Sequence, residues 1–268
     1  MIRVGLVGCG TIGSQLARAL QQQLAHAARL TAIHDVDPSC AARLQRRLHP
    51  HPSVVPLPEL IRRSDLVLEA ASAEAVPEVV ARSLRAHRSV FVMSVGGLLR
   101  NTSWRRLVRR SRGKLYIPSG ALAGLDGIKA MALGRLHAAQ LTTRKPPRAL
   151  QAAPYVRSRR LRLDRLTRPS VIFQGTPRRA VKAFPQNTNV AAALSLASGL
   201  PDRKIRIRVV ADPSIQRNIH DVEVTGDCGR IQCRIESRPS SNPKTSEVAV
   251  RSAVAMLHRI VGQVSIGT

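Results

Sequence analysis

Three glycines carry the first chemistry in this chain. Gly8, Gly10 and Gly13 stand in "GCGTIG" as G-x-G-x-x-G, directly after the apolar run "IRVGLV". At this spacing the first glycine permits a tight turn. The second lets backbone approach a pyrophosphate, and the third lets a helix pack closely on a strand. Thr11 and Ile12 begin an amphipathic run to about Leu24. A helix starting there presents its free N–H groups and positive dipole end to phosphate. The motif alone is weak, but a strand before it and a helix after it point to a dinucleotide. Asp35, at the end of "RLTAIHDVD", can accept both ribose hydroxyls of NAD and repel the 2′-phosphate of NADP. Arg43 and Arg46 follow closely, so NADP stays open beside NAD. Asp37, before Pro38, reads equally well as a ligand or as a helix start. Ser72 and Ser94 close two further apolar runs and either border the cofactor or end their strands.

A titratable group stands out in "NIHDVEVTG", residues 218–226. As a strand, this stretch puts His220, Val222 and Val224 on one side and Asp221, Glu223 and Thr225 on the other. His220 is then either a satisfied core histidine or a catalytic acid/base, the latter expected to titrate near neutral pH.

The elements that position these residues follow from periodicity. Strands are expected at "IRVGLV", "RLTAIHDVD", "SDLVLEAAS", "RSVFVMSVGG" and "KLYIPSG", with helices at "CAARLQRRL" and "AEAVPEVVARSLRAH". That alternation means a doubly wound parallel sheet, the Rossmann arrangement, over residues 1–119. From residue 120 to 245 the pattern becomes α+β. "GALAGLDGIKAMALG" reads as a glycine loop and helix, "TTRKPPRALQAAP" as a Pro/Arg-rich connection, and "NTNVAAALSLASGLP" as an Ala-rich helix. "KIRIRVVAD" is a strand, and "IHDVEVTGDCGRIQCRIES" a hairpin about "GDCG". A last amphipathic helix, within residues 246–264, can pack back on the first domain.

Composition narrows the class. The 268 residues are 44% hydrophobic, enough for one large or two modest cores. No apolar run approaches the ~20 residues of a membrane helix, and "MIRVGLVGCGTIG" lacks the marks of a signal peptide. Cys9, Cys40, Cys228 and Cys233 have no metal-ligand spacing, so a cytoplasmic protein with reduced thiols and no metal is expected. Lys and Arg number 43 against 16 Asp and Glu, a formal charge of +27. That balance raises nucleic acid as a partner. Aromatics are only 2% and no nucleic-acid module is visible, so anion attraction by a solvated basic surface is the simpler reading.

Several separate segments resemble one enzyme family. "PSGALAGLDG" (118–127), "TTRKPP" (142–147), "AVKAFPQNTNVAAALSLA" (180–197), "VVADPSIQRNIHDVEVTGDCG" (209–229) and "NPKTS" (242–246) occur together and in order, as in L-aspartate dehydrogenases. With the glycine loop, the resemblance covers nearly the whole chain. It implies a nicotinamide-binding domain, an α+β catalytic domain and a homodimer. The implied reaction is NAD(P)-dependent oxidation of L-aspartate to iminoaspartate, which hydrolyses to oxaloacetate and ammonia or feeds NAD biosynthesis. The resemblance puts the catalytic histidine at His220 and cofactor contacts at Ala123 and Asn189. Ala121 and Asn187 keep the same separation and leave the register open. The arginines crowding residues 157–168 depart from the family's pattern.

The residue chemistry agrees with a dicarboxylate substrate, which needs cationic or N–H donors. Lys244 precedes the last helix, where a cation opposes the dipole unless a bound carboxylate lies between them. Asn187 and Asn189 open the Ala-rich helix, and capping accounts for only one of them. Asn187 and Lys244 are the substrate-binding candidates. Two alternatives remain: a related two-domain imine or semialdehyde reductase, and an NAD-sensing nucleic-acid-binding regulator.

Overall fold

A computed structural model of the chain describes residues 1–185, 189–238 and 246–267. The chain divides into two compact units. One comprises Met1–Pro118 with Val250–Ile266, and the other Ser119–Ala249 with Gly267.

The first unit runs β1 (Ile2–Val7), α1 (Thr11–Gln22), β2 (Ala28–His34), α2 (Pro38–Gln45), β3 (Ser53–Val54), α3 (Leu57–Arg63), β4 (Leu66–Glu69), α4 (Val76–Arg85), β5 (Ser89–Val92), α5 (Gly96–Arg100), α6 (Trp104–Arg110) and β6 (Leu115–Tyr116). The six strands are parallel, in the order β3-β2-β1-β4-β5-β6. This is the Rossmann sheet that the alternation predicts, and its strand order reverses between β1 and β4. Every residue of β4 is buried, as a parallel sheet covered on both faces requires. Residues 50–63 carry no element in the sequence reading, yet they form β3 and α3. A two-residue edge strand is too short to show a period. β2 ends at His34, so Asp35 stands one residue beyond it.

The second unit runs α7 (Leu125–Met131), β7 (Leu136–Lys145), α8 (Pro147–Leu150), α9 (Pro154–Ser158), β8 (Ser170–Gly175), α10 (Pro177–Ala183), α11 (Asn189–Ser198), β9 (Ile205–Ala211), β10 (Asn218–Gly226) and β11 (Gly229–Ser237). Its sheet has the order β11-β10-β7-β9-β8, with β7 and β9 parallel and the other pairs antiparallel. The hairpin turns on Asp227 and Cys228, with Gly226 facing Gly229, which adopts φ +122°. One correction matters for the site. Thr142–Lys145, expected in a Pro/Arg-rich connection, completes the ten-residue strand β7. Pro146 and Pro147 end the pairing only after Lys145, because proline has no N–H for a ladder.

Helix α12 (Glu247–Val261) closes the chain. Its Ala253 and Leu257 join Leu6, Leu16, Leu30 and Phe91 in the core of the first unit.

The core face of the second sheet consists of residues paired across strands. Ala139 lies between Val224 and Ile205, and Leu141 between Val222 and Ile207. All six are buried in one apolar cluster. Further along the same face the next pair is Thr143 and His220.

Candidate functional site

The glycine loop is shaped for phosphate. Gly8 adopts φ +96°, and a Cβ there would lie 2.6 Å from the backbone of Ala70 and Ala71 at the end of β4. At Gly13 a Cβ would overlap the Gly8 carbonyl, so helix and loop can close only without one. Gly10 has the opposite surroundings, with open space where its Cβ would be. It is the N-cap of α1, and no side chain caps that helix or puts an acid into its first turn. Thr11 and Ile12 therefore start a helix whose N–H groups are open to an anion, without competition from a carboxylate.

Two carboxylates hold the strand ends around this loop. Asp35, half-buried, accepts from the Cys9 N–H at 2.7 Å and the Asp37 N–H at 2.9 Å. It is a buttress of the loop as well as the ribose candidate, and a carboxylate has lone pairs for both tasks. Asp37 caps α2 by accepting from the Ser39 N–H at 2.9 Å, the helix-start reading of that residue. Glu69, invisible as a site residue in the sequence, is fully buried. It accepts from the Ala71 N–H at 2.9 Å and the Ser94 N–H at 3.0 Å, tying the end of β4 to β5. Burial nevertheless pushes its pKa up to about 7. Burial likewise pushes the Cys9 thiol up to about 12, which makes it inert. Ser72 is exposed and shapes the turn before α4, where its hydroxyl accepts from the Ala75 N–H at 3.4 Å.

In the second unit, His220 is 3% exposed and its Nδ1 lies 3.1 Å from the hydroxyl of Thr143, itself 2% exposed. This corrects the expectation of an imidazole titrating near neutral pH. Burial, helped by the positive charge of Lys145, pushes the His220 pKa down to about 3. The ring is neutral, so a base is available without prior deprotonation. Lys145 is 3% exposed, and burial lowers its pKa to about 8. It was hidden in the sequence by the prolines that follow it. The available signal was strand parity, since Ala139, Leu141, Thr143 and Lys145 share one face. Ala121 is buried in the core of this unit, whereas Ala123 is half-buried beside Gly124, which adopts φ +75°. Asn189 is the first residue of α11. Asn187 and Lys244 lie outside the described residues.

The Gly8–Gly13 loop and the His220 face thus belong to different units, one suited to a nucleotide and one to acid/base chemistry. The family model described as "Homoserine dehydrogenase, NAD binding domain" matches residues 8–117, and "Aspartate dehydrogenase, C-terminal" matches residues 126–260. L-aspartate dehydrogenase of Methanosarcina mazei is 43% identical over 274 residues, covering 100% of both chains. L-aspartate dehydrogenase 3 of Bordetella bronchiseptica is 39% identical over 265 residues, covering 99% of this chain and 97% of its own. The crystal structure of aspartate dehydrogenase from Thermotoga maritima shares the fold, with a TM-score of 0.73, 24% identity and full coverage of both chains. With full-length identity of this size and both domain models in register, the chain belongs to the L-aspartate dehydrogenase family.

Proposed function

We propose that this protein oxidises L-aspartate to iminoaspartate with NAD as its preferred acceptor. The observation that carries the reading is the 43% identity to an L-aspartate dehydrogenase along the whole chain. The glycine loop fits a dinucleotide on its own geometry: open space at Gly10, an uncapped helix start and a buttressed turn. Gly8, Gly10, Thr11, Ile12 and Gly13 would hold the pyrophosphate, and Asp35 the adenosine ribose. Ser72, Ala123 and Asn189 are the further cofactor contacts of this reading. The half-buried position of Ala123, against the core position of Ala121, supports the Ala123/Asn189 register.

A bound nicotinamide would supply the acceptor for the hydride on the substrate Cα. The protein must orient the substrate and move its protons. His220 is the proposed base. With Nδ1 held by Thr143, its Nε2 takes a proton from the substrate ammonium, and the amine lone pair then drives hydride loss. Once that proton has passed to solvent, the same nitrogen can activate water against the imine, giving oxaloacetate and ammonia. Asn187 and Lys244 are carried forward as substrate contacts on sequence grounds, and a homodimer as the assembly.

The test is NADH formation by the purified chain with a panel of L-amino acids. L-Aspartate should be oxidised, and NAD preferred over NADP. Turnover of another amino acid with none of aspartate would overturn the reading.

A further inference from the structure

The polar end of the second sheet holds more than a histidine. Beyond the Thr143–His220 pair the ladder ends with Arg144 facing Ile219, and continuing that register by one residue puts Lys145 level with Asn218. On the far side Asn218 is paired with Ser237 of β11. Lys145, Asn218 and Ser237 therefore form one row across β7, β10 and β11, with adjacent strands about 4.8 Å apart. The neighbouring row is Thr143, His220 and Ile235. By strand parity all six residues face the same side. Lys145 is 3%, Asn218 1% and Ser237 3% exposed.

This row is built differently from a satisfied core. Both side-chain polar atoms of Asn218, Oδ1 and Nδ2, and the hydroxyl of Ser237 are buried without a hydrogen-bond partner among the described residues. Buried amide and hydroxyl groups nearly always find partners, because an unmade bond leaves their desolvation uncompensated. Such groups gathered next to a candidate base are expected where a ligand supplies the missing bonds.

We propose that Lys145, Asn218 and Ser237 form the subsite for one carboxylate of the substrate, one row from His220. The inference rests on the dehydrogenase reading, and it names what that site recognises. The chemistry matches atom by atom. A carboxylate accepts from an ammonium, an amide NH2 and a hydroxyl, which are the donors this row presents. The Asn218 Oδ1 is left to accept from the substrate amine. Burial depresses His220 most, and a bound carboxylate would offset the Lys145 charge that adds to it, so that substrate binding strengthens the base.

The experiment compares the full-length wild type with Lys145→Met, Asn218→Ala and Ser237→Ala. Two quantities are measured: the KM for L-aspartate, and the affinity for succinate at saturating NADH by calorimetry. Succinate is a dicarboxylate with no amine. Thermal melts and NADH affinity check the fold. The expected result is an aspartate KM raised about tenfold or more in Lys145→Met, with succinate affinity reduced in parallel and NADH affinity unchanged. Asn218→Ala and Ser237→Ala should show smaller losses of the same kind. If Lys145→Met does not fold, Asn218→Ala decides, by a raised or an unchanged KM. Folded variants with wild-type KM and succinate affinity would overturn the subsite while leaving the aspartate reading intact. A wild type that cannot oxidise aspartate would overturn that reading instead. Succinate binding, which needs no turnover, would then still decide the subsite.

Discussion

Around their candidate sites the two units bury polar groups in opposite ways. In the first, the carboxylates near the nucleotide loop are matched to backbone donors. Asp35 takes the Cys9 and Asp37 N–H groups, and Glu69 takes those of Ala71 and Ser94. In the second, Asn218 and Ser237 are buried with polar atoms that no described residue satisfies, in the same row as a buried lysine. A site that binds a ligand through backbone must first be rigid, so its side chains are used up as internal ties. A site that binds through side chains must keep their bonding capacity for the ligand. This difference explains why the cofactor loop shows as a motif and the polar row does not.

His220→Asn gives the largest expected effect. The variant should fold and bind NADH, while kcat on aspartate falls by about 10²–10⁴, the range of general acid–base catalysis. Turnover close to wild type would make His220 an ordinary core residue. Its pH behaviour separates the units further. The folded pKa of about 3 lies below the ordinary histidine value of 6.5, so His220 contributes stability that is fully present above about pH 6.5. That contribution is lost as pH falls through 3. The kcat/KM profile, which reports the free enzyme, should therefore show no acid-side inflection near 6.5 from this residue.

Lys145→Met should sharpen the contrast through stability. The folded pKa of about 8 lies below the ordinary lysine value of 10.5, so the wild type is penalised for burying an ammonium at neutral pH. The methionine variant should be more stable below pH 8, by up to a few kcal/mol, and the gain should vanish towards pH 10.5. Denaturant melts at several pH values measure this. A loss of stability at pH 7 would mean that the lysine is a structural tie like Glu69.

Glu69→Gln should act in the reverse sense. An amide cannot accept at both ends, so one of the two N–H groups loses its acceptor and about 1–3 kcal/mol of stability. In the wild type, the raised pKa of about 7 means that the Glu69 contribution is full below pH 4.5 and lost as pH rises through 7. A variant that melts like wild type at pH 6 would show that the tie between β4 and β5 is dispensable.

Smaller effects are expected from the remaining acid and cation. Asp35→Ser should weaken NAD and shift the kinetic preference toward NADP. Both cofactors should also suffer from the lost Cys9 bond. An unchanged ratio would leave Asp35 as a buttress alone. Lys244→Ala should raise the aspartate KM about tenfold, the worth of one charged hydrogen bond. An unchanged KM would return Lys244 to a solvated loop.

Local rules are enough for the first unit. Gly8, Gly10 and Gly13 report backbone constraints that only glycine satisfies, and the strands around them are continuous apolar runs, so motif and fold are both written in short stretches. His220 was visible too, because alternation in "NIHDVEVTG" sets its face. Asn218 opens that very stretch with the same parity, yet as an isolated asparagine it reads like any strand end. Its meaning depends on Lys145 and Ser237, which lie 73 and 19 residues away in the chain and meet it only through strand pairing. Glu69 is similar, since its bond to Ser94 depends on where β5 runs beside β4. Parity and glycine chemistry act between near neighbours, and a sequence displays them directly. Burial, and with it the low pKa of His220 and the unmet bonds of Asn218, depends on what packs over a residue from distant segments. Those properties came into existence when β7, β10 and β11 were laid side by side.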